Sequence, residues 1–124
     1  MKHKFYICRH CGNIVAMIRD KGVPVKCCGE KLHEITPGAT EASAEKHIPI
    51  YEMEGNTVHV TVGAGLHPMI REHYIEWICL ETEHGIQYAH LDPGDEPRAK
   101  FALCAGDEVR AVYAFCNQHD LWRN

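Results

Sequence analysis

The chain has 124 residues, of which 45% are hydrophobic and 24% charged, with a formal net charge of −4. This composition is typical of a soluble globular protein with one ordinary domain or two small ones. The negative charge argues against nucleic acid or an anionic membrane as a partner. Because the sequence shows neither a membrane-length apolar run nor the apolar stretch of a signal peptide, we expect a cytoplasmic protein.

Cysteine placement divides the sequence into two segments. The chain has seven cysteines, and an odd number in a reducing compartment indicates metal ligands more often than a disulfide framework. Four of them lie within the first 28 residues, and the other three are spread over the rest of the chain. Between the two regions, Thr36–Ala44 is rich in small residues and opens with a Pro-Gly turn signal. We therefore predict a linker there and two domains, 1–36 and 37–124.

The first segment contains three short apolar stretches that predict small strands, over Lys4–Ile7, Ile14–Ile18 and Val23–Lys26. So short a segment cannot bury a core large enough for independent stability. A bound metal would supply the missing folding free energy, and the cysteines of this segment are the residues that could bind it.

These cysteines form the first candidate metal site, which consists of Cys8, Cys11, Cys27 and Cys28. The C-x-x-C spacing of the first two lets one tight turn aim both sulfurs at the same ion. Cys27 and Cys28 are adjacent, so both can reach one ion only through a bend, which Gly29 makes easy. We expect a distorted tetrahedral site. Its spacing leaves zinc and a single iron open, together with the alternative of two disulfides.

The second segment shows six short strand patterns separated by turns. The predicted strands are His47–Met53, Thr57–Val62, Tyr74–Glu81, Ile86–Leu91, Arg98–Leu103 and Glu108–Phe115. Strands at this spacing without long helical periodicity indicate an all-β fold, either a sandwich or a barrel. Cys79 and Cys104 fall within or at the end of these strands, and we expect both to be buried.

Four histidines and one cysteine lie at or near the ends of these strands, namely His47, His67, His73, His119 and Cys116. Loops at one end of a sandwich can bring such residues together although they are distant in sequence. Imidazole suits a first-row transition metal, and a thiolate makes such a site softer and richer in electrons. Residue chemistry thus predicts a second metal site, while the metal, the number of ligands and the reaction stay open.

Six motifs follow one another along residues 6–122. They are Cys8–Asn13, Cys27–Glu30, Glu45–Pro49, His67–Met69, Glu72–Ile78 and Cys116–His119. In these motifs the sequence resembles the desulfoferrodoxins, the two-iron class of superoxide reductases. The resemblance implies a small desulforedoxin-like domain whose four cysteines hold a rubredoxin-type iron. It also implies an immunoglobulin-like β-sandwich that carries the catalytic iron, and assembly as a homodimer.

The resemblance further implies a ligand set for the catalytic iron. Four histidines would bind the iron in one plane and the cysteine would bind axially, with the opposite position open. These ligands are His47, His67, His73, His119 and Cys116.

Two charged residues precede the first of these histidines, and the resemblance implies that both take part in catalysis. Lys46 would attract superoxide and help to protonate the reduced product, hydrogen peroxide. Glu45 would close onto the open position after the product leaves. A small carrier such as rubredoxin would return the electron. Without the resemblance, Glu45 and Lys46 are simply a solvated charge pair at the end of a linker.

Two other functions compete with this hypothesis. The protein could be an electron carrier whose irons only pass electrons, or a module in which zinc at the four-cysteine site only holds the fold together. The sequence also departs from the family at one position, because Asp120 follows His119 where the family usually has glycine. A carboxylate there could change the turn or alter the surroundings of the ligand.

Overall fold

Antiparallel strands make up nearly all the regular structure of the described residues, 3–40 and 44–124 of a computed structural model. Outside the described residues lie Met1, Lys2 and Glu41–Ser43. The segment Glu41–Ser43 belongs to the predicted linker. The chain divides into two units, Met1–Thr36 and Pro37–Asn124. The all-β prediction is confirmed.

The first unit is built from five very short strands. They are β1 (Phe5–Ile7), β2 (Ile14–Ala16), β3 (Lys26–Cys27), β4 (Glu30–Lys31) and β5 (His33–Glu34). One sheet has the order β2-β1-β5, and β3 and β4 form a separate hairpin. The strand predicted over Val23–Lys26 begins only at Lys26, and β4 and β5 were too short for their pattern to be seen in the sequence.

The second unit contains one helical turn and seven strands. They are α1 (Ala44–His47), β6 (Pro49–Glu54), β7 (Thr57–Val62), β8 (Ile75–Thr82), β9 (Ile86–His90), β10 (Arg98–Ala102), β11 (Val109–Cys116) and β12 (Asp120–Arg123). One sheet has the order β10-β7-β6 and the other the order β12-β11-β8-β9. No helix in the described part of the chain is long and apolar enough to cross a membrane.

Alternating side chains of the two sheets form the core of this unit. Strand β7 alternates between half-buried and buried residues, and its Val58, Val60 and Val62 are fully buried. They belong to one apolar cluster with Ile78 of β8 and Val112 of β11, from the other sheet. This arrangement is the sandwich that the turn spacing predicted, with one face of each sheet turned inward.

Strand pairing places the start of one strand beside the end of its neighbour in each sheet. Pro49 at the start of β6 pairs with Val62 at the end of β7. In the other sheet, Cys116 at the end of β11 pairs with Ile75 at the start of β8. A register shift just before Cys116 skips Glu76, and such bulges re-aim a side chain. Residues that flank these four strand ends can therefore meet.

Three sequence predictions differ from the structure. His47 does not begin a strand, because it ends the helical turn α1 and β6 starts at Pro49. Strand β12, at Asp120–Arg123, was not predicted, since it is only four residues long and directly follows a ligand motif. Cys79 is buried as expected, but Cys104 is exposed, because β10 ends at Ala102 and leaves Cys104 in a turn. None of the seven cysteines forms a disulfide.

Candidate metal centres

Four sulfur atoms converge in the first unit. The Sγ atoms of Cys8, Cys11, Cys27 and Cys28 all lie within 4.8 Å of one another. A tight turn holds the first pair, since the N–H of Gly12 donates to the carbonyl oxygen of Cys8 at 2.8 Å. The bend predicted at the adjacent pair is present, and Cys28 itself adopts a left-handed φ of 53°.

The spacing of these sulfurs fits a tetrahedral metal. Metal–sulfur bonds of about 2.3 Å place the sulfurs of a tetrahedron roughly 3.8 Å apart. The Sγ of Cys27 lies 3.6 Å from that of Cys11 and 4.0 Å from that of Cys28. Backbone N–H groups of Cys11 and His10 lower the pKa of the Cys8 thiol to about 6. The neighbouring thiols, Cys8 first, raise the pKa of Cys28 to about 12, so four thiolates require a shared cation.

Four imidazole rings meet at one end of the sandwich. The centroid distances between neighbouring rings are 4.6 Å for His47 and His67, 4.6 Å for His67 and His73, 5.1 Å for His73 and His119, and 4.8 Å for His119 and His47. Each neighbouring pair is steeply inclined, by 72° to 86°. Across the group, His47 and His73 are 6.3 Å apart and inclined by only 27°. The rings therefore approximate the corners of a square.

Cys116 joins this group from the end of β11. Ligand atoms of His47, His67, His73 and Cys116 all lie within 4.8 Å of one another. His119 stands at the edge of that group, with its Nδ1 3.1 Å from Nε2 of His47 and 3.9 Å from Sγ of Cys116. All five residues singled out in the sequence thus lie in one cluster, which we call the His/Cys cluster.

Ring nitrogens of this cluster face one another, and at His67 the facing nitrogen carries a lone pair. Nδ1 of His67 donates to the carbonyl oxygen of Pro68 at 2.7 Å, which leaves Nε2 of the neutral ring without a proton. That Nε2 lies 3.1 Å from Nε2 of His47. Burial lowers the pKa of His67 to about 4, so the ring is neutral at ordinary pH. Nε2 of His73 is buried without a hydrogen-bond partner among the described residues. A transition metal would accept these lone pairs.

Comparison with known proteins decides the family. The family model described as Desulfoferrodoxin matches residues 39–124. The chain is also 41% identical over 119 residues to a desulfoferrodoxin homolog of Archaeoglobus fulgidus, over 96% of this chain and 94% of the relative. The chain belongs to the desulfoferrodoxin family. The resemblance that the sequence motifs indicated is confirmed.

Other similarities cover nearly the whole chain or about two thirds of it. A desulfoferrodoxin of Nitratidesulfovibrio vulgaris is 40% identical over 123 residues, with 98% of this chain and 95% of the relative covered. The superoxide reductase structure from Treponema pallidum matches with a TM-score of 0.85 at 39% identity, over 100% of this chain and 99% of that chain. The superoxide reductase (1Fe-SOR) structure from Giardia intestinalis matches at a TM-score of 0.55 and 33% identity, over 64% of this chain and 95% of that chain.

Cys116, at the end of β11, is fully buried. Burial raises the pKa of its thiol, whereas the backbone N–H groups of Gln118 and His119 lower it. The charges of Asp120 and Glu76 raise it further. Asp120 adopts a φ of 60°, a left-handed conformation that glycine adopts freely and that aspartate tolerates better than most residues. Aspartate at position 120 is therefore compatible with this turn and places a charge near Cys116.

Residues that the sequence did not single out hold the ligands in place. Trp122 stacks on His47 with ring centroids 4.9 Å apart, and its Nε1 donates to the carbonyl oxygen of His119 at 3.0 Å. The hydroxyl of Thr40 donates to the same oxygen at 2.7 Å. No local sequence signal marks Thr40, which lies 79 positions from His119.

Glu45 and Lys46 lie on α1, directly before His47, and both are exposed. Their backbone is held by the segment after β7, because the N–H of Ala64 donates to the carbonyl oxygen of Glu45 at 2.8 Å. The pKa of His73 is lowered by burial first, then by the charges of His119 and Lys46. The charge of Lys46 is thus felt inside the His/Cys cluster.

Proposed function

We propose that this protein reduces superoxide to hydrogen peroxide at an iron ion held by His47, His67, His73, His119 and Cys116. The convergence of four imidazoles and one thiol on a single point is the observation that carries the proposal. Superoxide reductase structures with the same fold, at 39% and 33% identity, support it. The overall reaction consumes one electron and two protons for each superoxide.

The histidines, Cys116 and nearby backbone N–H groups each have a different role at the iron site. Reduced iron, when bound, supplies the electron that superoxide accepts. The neutral imidazoles offer lone pairs without bringing charge, and the thiolate of Cys116 adds electron density to the site. Backbone N–H groups of Gln118 and His119 stabilise that thiolate in its buried position.

Glu45 and Lys46 serve the side of the cluster that faces solvent in this proposal. The chain carries a net charge of −4, which repels an anionic substrate. A local cation beside the cluster therefore speeds the approach of superoxide. Lys46 attracts superoxide and holds a proton for the reduced product. Glu45 lies on the same helical turn. Its carboxylate closes onto the open side of the cluster after the product leaves.

The direct test is to mix reduced protein with superoxide and to follow iron oxidation, peroxide and oxygen together. We expect one peroxide for each superoxide consumed and no oxygen. Oxygen evolution would mean a dismutase, and slow oxidation without a stoichiometric yield of peroxide would mean an electron carrier. Metal analysis with visible and EPR spectra, before and after ferricyanide oxidation, should show two irons with distinct ferric signals.

Lys46→Ala is expected to slow the reaction with superoxide about tenfold at low ionic strength, while iron stays bound. The physical reason is the loss of the cation at the entrance, and the difference should shrink as salt screens the charge. Stopped-flow rates at several ionic strengths measure both effects. Lys100→Ala is the matched control, since it removes the same charge from the middle of β10. Equal rates for the two variants at low salt would contradict steering by Lys46.

The proposal extends to the first unit, in which Cys8, Cys11, Cys27 and Cys28 hold the other iron. We assign residues 1–36 to a four-cysteine iron domain and residues 37–124 to the catalytic domain. The sulfur distances support a metal here, and the resemblance of the motifs to the two-iron desulfoferrodoxins favours iron rather than zinc. A ferric four-sulfur site would be red or pink, whereas a zinc site would be colourless.

Cys27→Ser should abolish this colour and unfold the first unit. Among residues 3–36, only the side chains of Phe5, Ile7, Cys8 and Ile35 are buried, and structural metals supply about 10 kcal/mol or more to small domains. We expect amide signals of residues 3–36 to lose their dispersion in NMR spectra, while the absorption of the other iron persists. Retention of a dispersed spectrum without metal would show that the fold does not depend on the ion. Cys104→Ser, at an exposed thiol, is the control.

Three further parts complete the proposal: the donor and the homodimer rest on the resemblance of the motifs, and the cytoplasmic location rests on the sequence pattern of the N-terminus and the lack of a membrane-length apolar run. A rubredoxin or similar small carrier returns the electron, two copies form a homodimer, and the protein works in the cytoplasm. Light scattering of the purified protein tests the dimer. Reduction of the oxidised protein by rubredoxin, compared with a carrier of another type, tests the donor.

A further inference from the structure

The side chain of Asn117 binds the backbone on both sides of His73. Its Oδ1 accepts a hydrogen bond from the N–H of Tyr74 at 3.0 Å, and its Nδ2 donates to the carbonyl oxygen of Glu72 at 3.2 Å. In the reverse orientation, Nδ2 would face the N–H of Tyr74 and Oδ1 would face the carbonyl oxygen of Glu72, so neither hydrogen bond could form. This network therefore fixes the orientation of the amide. The backbone N–H of Asn117 also donates to the carbonyl oxygen of Tyr74 at 3.2 Å.

These bonds continue the β8–β11 pairing beyond the ends of the strands. The ladder stops at Cys116 and Ile75, and His73 lies two residues before Ile75 in a tight turn. Within that turn, His73 exchanges two backbone hydrogen bonds with Ile70, at 3.0 and 3.1 Å. The Asn117 amide takes the place of the next backbone pair and ties the turn to the end of β11.

Nothing among the described residues hydrogen-bonds to Nε2 of His73, which is buried. The direction of this nitrogen therefore depends on the backbone that carries the ring, and residues 72 and 74 of that backbone are the two that Asn117 holds. Asn117 also follows Cys116 directly in the chain. One side chain thus sets the distance between two members of the His/Cys cluster, a histidine and the cysteine.

We propose that Asn117 is a positioning residue, which fixes His73 relative to Cys116 and so controls how firmly the cluster holds iron. This inference rests on the proposed function, since it assumes that both residues are iron ligands. Gln118 supplies an internal comparison. Its Nε2 donates to the same Glu72 carbonyl at 2.7 Å, but its side chain is exposed and has no bond to Tyr74.

The test uses the full chain loaded with iron and needs no superoxide. Asn117→Ala should speed the loss of iron from the cluster to excess chelator by about tenfold, as for other partners that orient metal ligands. It should also shift the sulfur-to-iron absorption of the oxidised iron in the His/Cys cluster. Gln118→Ala should change both readouts much less. The colour of the four-cysteine site reports in the same sample that the rest of the protein is intact.

Wild-type release and absorption in Asn117→Ala, or an equally large effect in Gln118→Ala, would overturn the inference. If Asn117→Ala fails to fold, Asn117→Asp replaces it, since it keeps the acceptor for Tyr74 and loses the donor to Glu72. Its release rate should lie clearly above that of the wild type, and an unchanged rate would again overturn the inference. Absence in the wild type of a sulfur-to-iron band from the His/Cys cluster, beside that of the four-cysteine site, would instead refute the proposed ligand set.

Discussion

Cys116→Ser is expected to abolish the sulfur-to-iron charge-transfer absorption of the oxidised iron in the His/Cys cluster, leaving that of the four-cysteine site, and to slow superoxide reduction by more than ~100-fold. Loss of a group that merely orients a ligand weakens metal sites by about 10–100-fold, so loss of a ligand should exceed that range. Serine keeps nearly the same volume in this fully buried position, but its hydroxyl is a far weaker electron donor than a thiolate. Visible spectra and stopped-flow rates measure the two effects.

Cys79→Ser is the matched control for this experiment. Cys79 lies on β8, next to β11, and is as fully buried as Cys116, so the same hydroxyl enters a similar environment. It is not part of the His/Cys cluster. We expect this variant to be less stable than the wild type but to keep the absorption band. Persistence of the band in Cys116→Ser would exclude Cys116 as a ligand.

Local pattern was sufficient to predict most of the strands. The alternation of valines with polar residues over Thr57–Val62 gave β7 with its observed bounds. The apolar stretches before and after it gave β6, β8 and β11 to within two residues at each end. Such strands are defined by which face is buried, and that information is present in a short window of sequence.

The gathering of the cluster could be predicted only in outline. Histidines at strand ends indicated loops at one end of a sandwich, but the pairing of Pro49 with Val62 and of Cys116 with Ile75 was not readable from composition or period. Strand neighbours are set by contacts distant in sequence, which a local pattern does not contain. The specific set of five residues came from the resemblance to a family.

Supporting residues were the hardest to predict, because their role exists only in three dimensions. Thr40 and Trp122 both bind the carbonyl oxygen of His119, yet they are separated by more than eighty positions. Gly63 is similar, since its sequence context of small residues indicates no more than a turn. Its importance becomes visible only when α1 is seen to pack directly against it.

Gly63→Ala should displace the segment that carries Lys46 and His47. Gly63 is buried with a φ of 80°, and a Cβ atom there would lie 2.4 Å from the carbonyl oxygen of Lys46. Because the obstacle is backbone rather than a flexible side chain, the helical turn itself must move. The N–H of Gly63 also donates to the carbonyl oxygen of Ile48 at 3.2 Å. We expect iron binding to weaken and the reaction with superoxide to slow, each by about tenfold or more. This is the size of effect seen when other groups that orient metal ligands are lost.

Gly106→Ala separates this contact from the strain of the backbone. Gly106 has a similar φ of 87°, but nothing lies within 4 Å of the added Cβ atom. The free energy of unfolding of the Gly106→Ala variant should fall by about 1–3 kcal/mol, because alanine is strained in the left-handed conformation. Gly63→Ala should be destabilised further, and only Gly63→Ala should lose iron affinity and rate. If the two variants bind iron and react equally well, the close packing of Gly63 against Lys46 does not position the site.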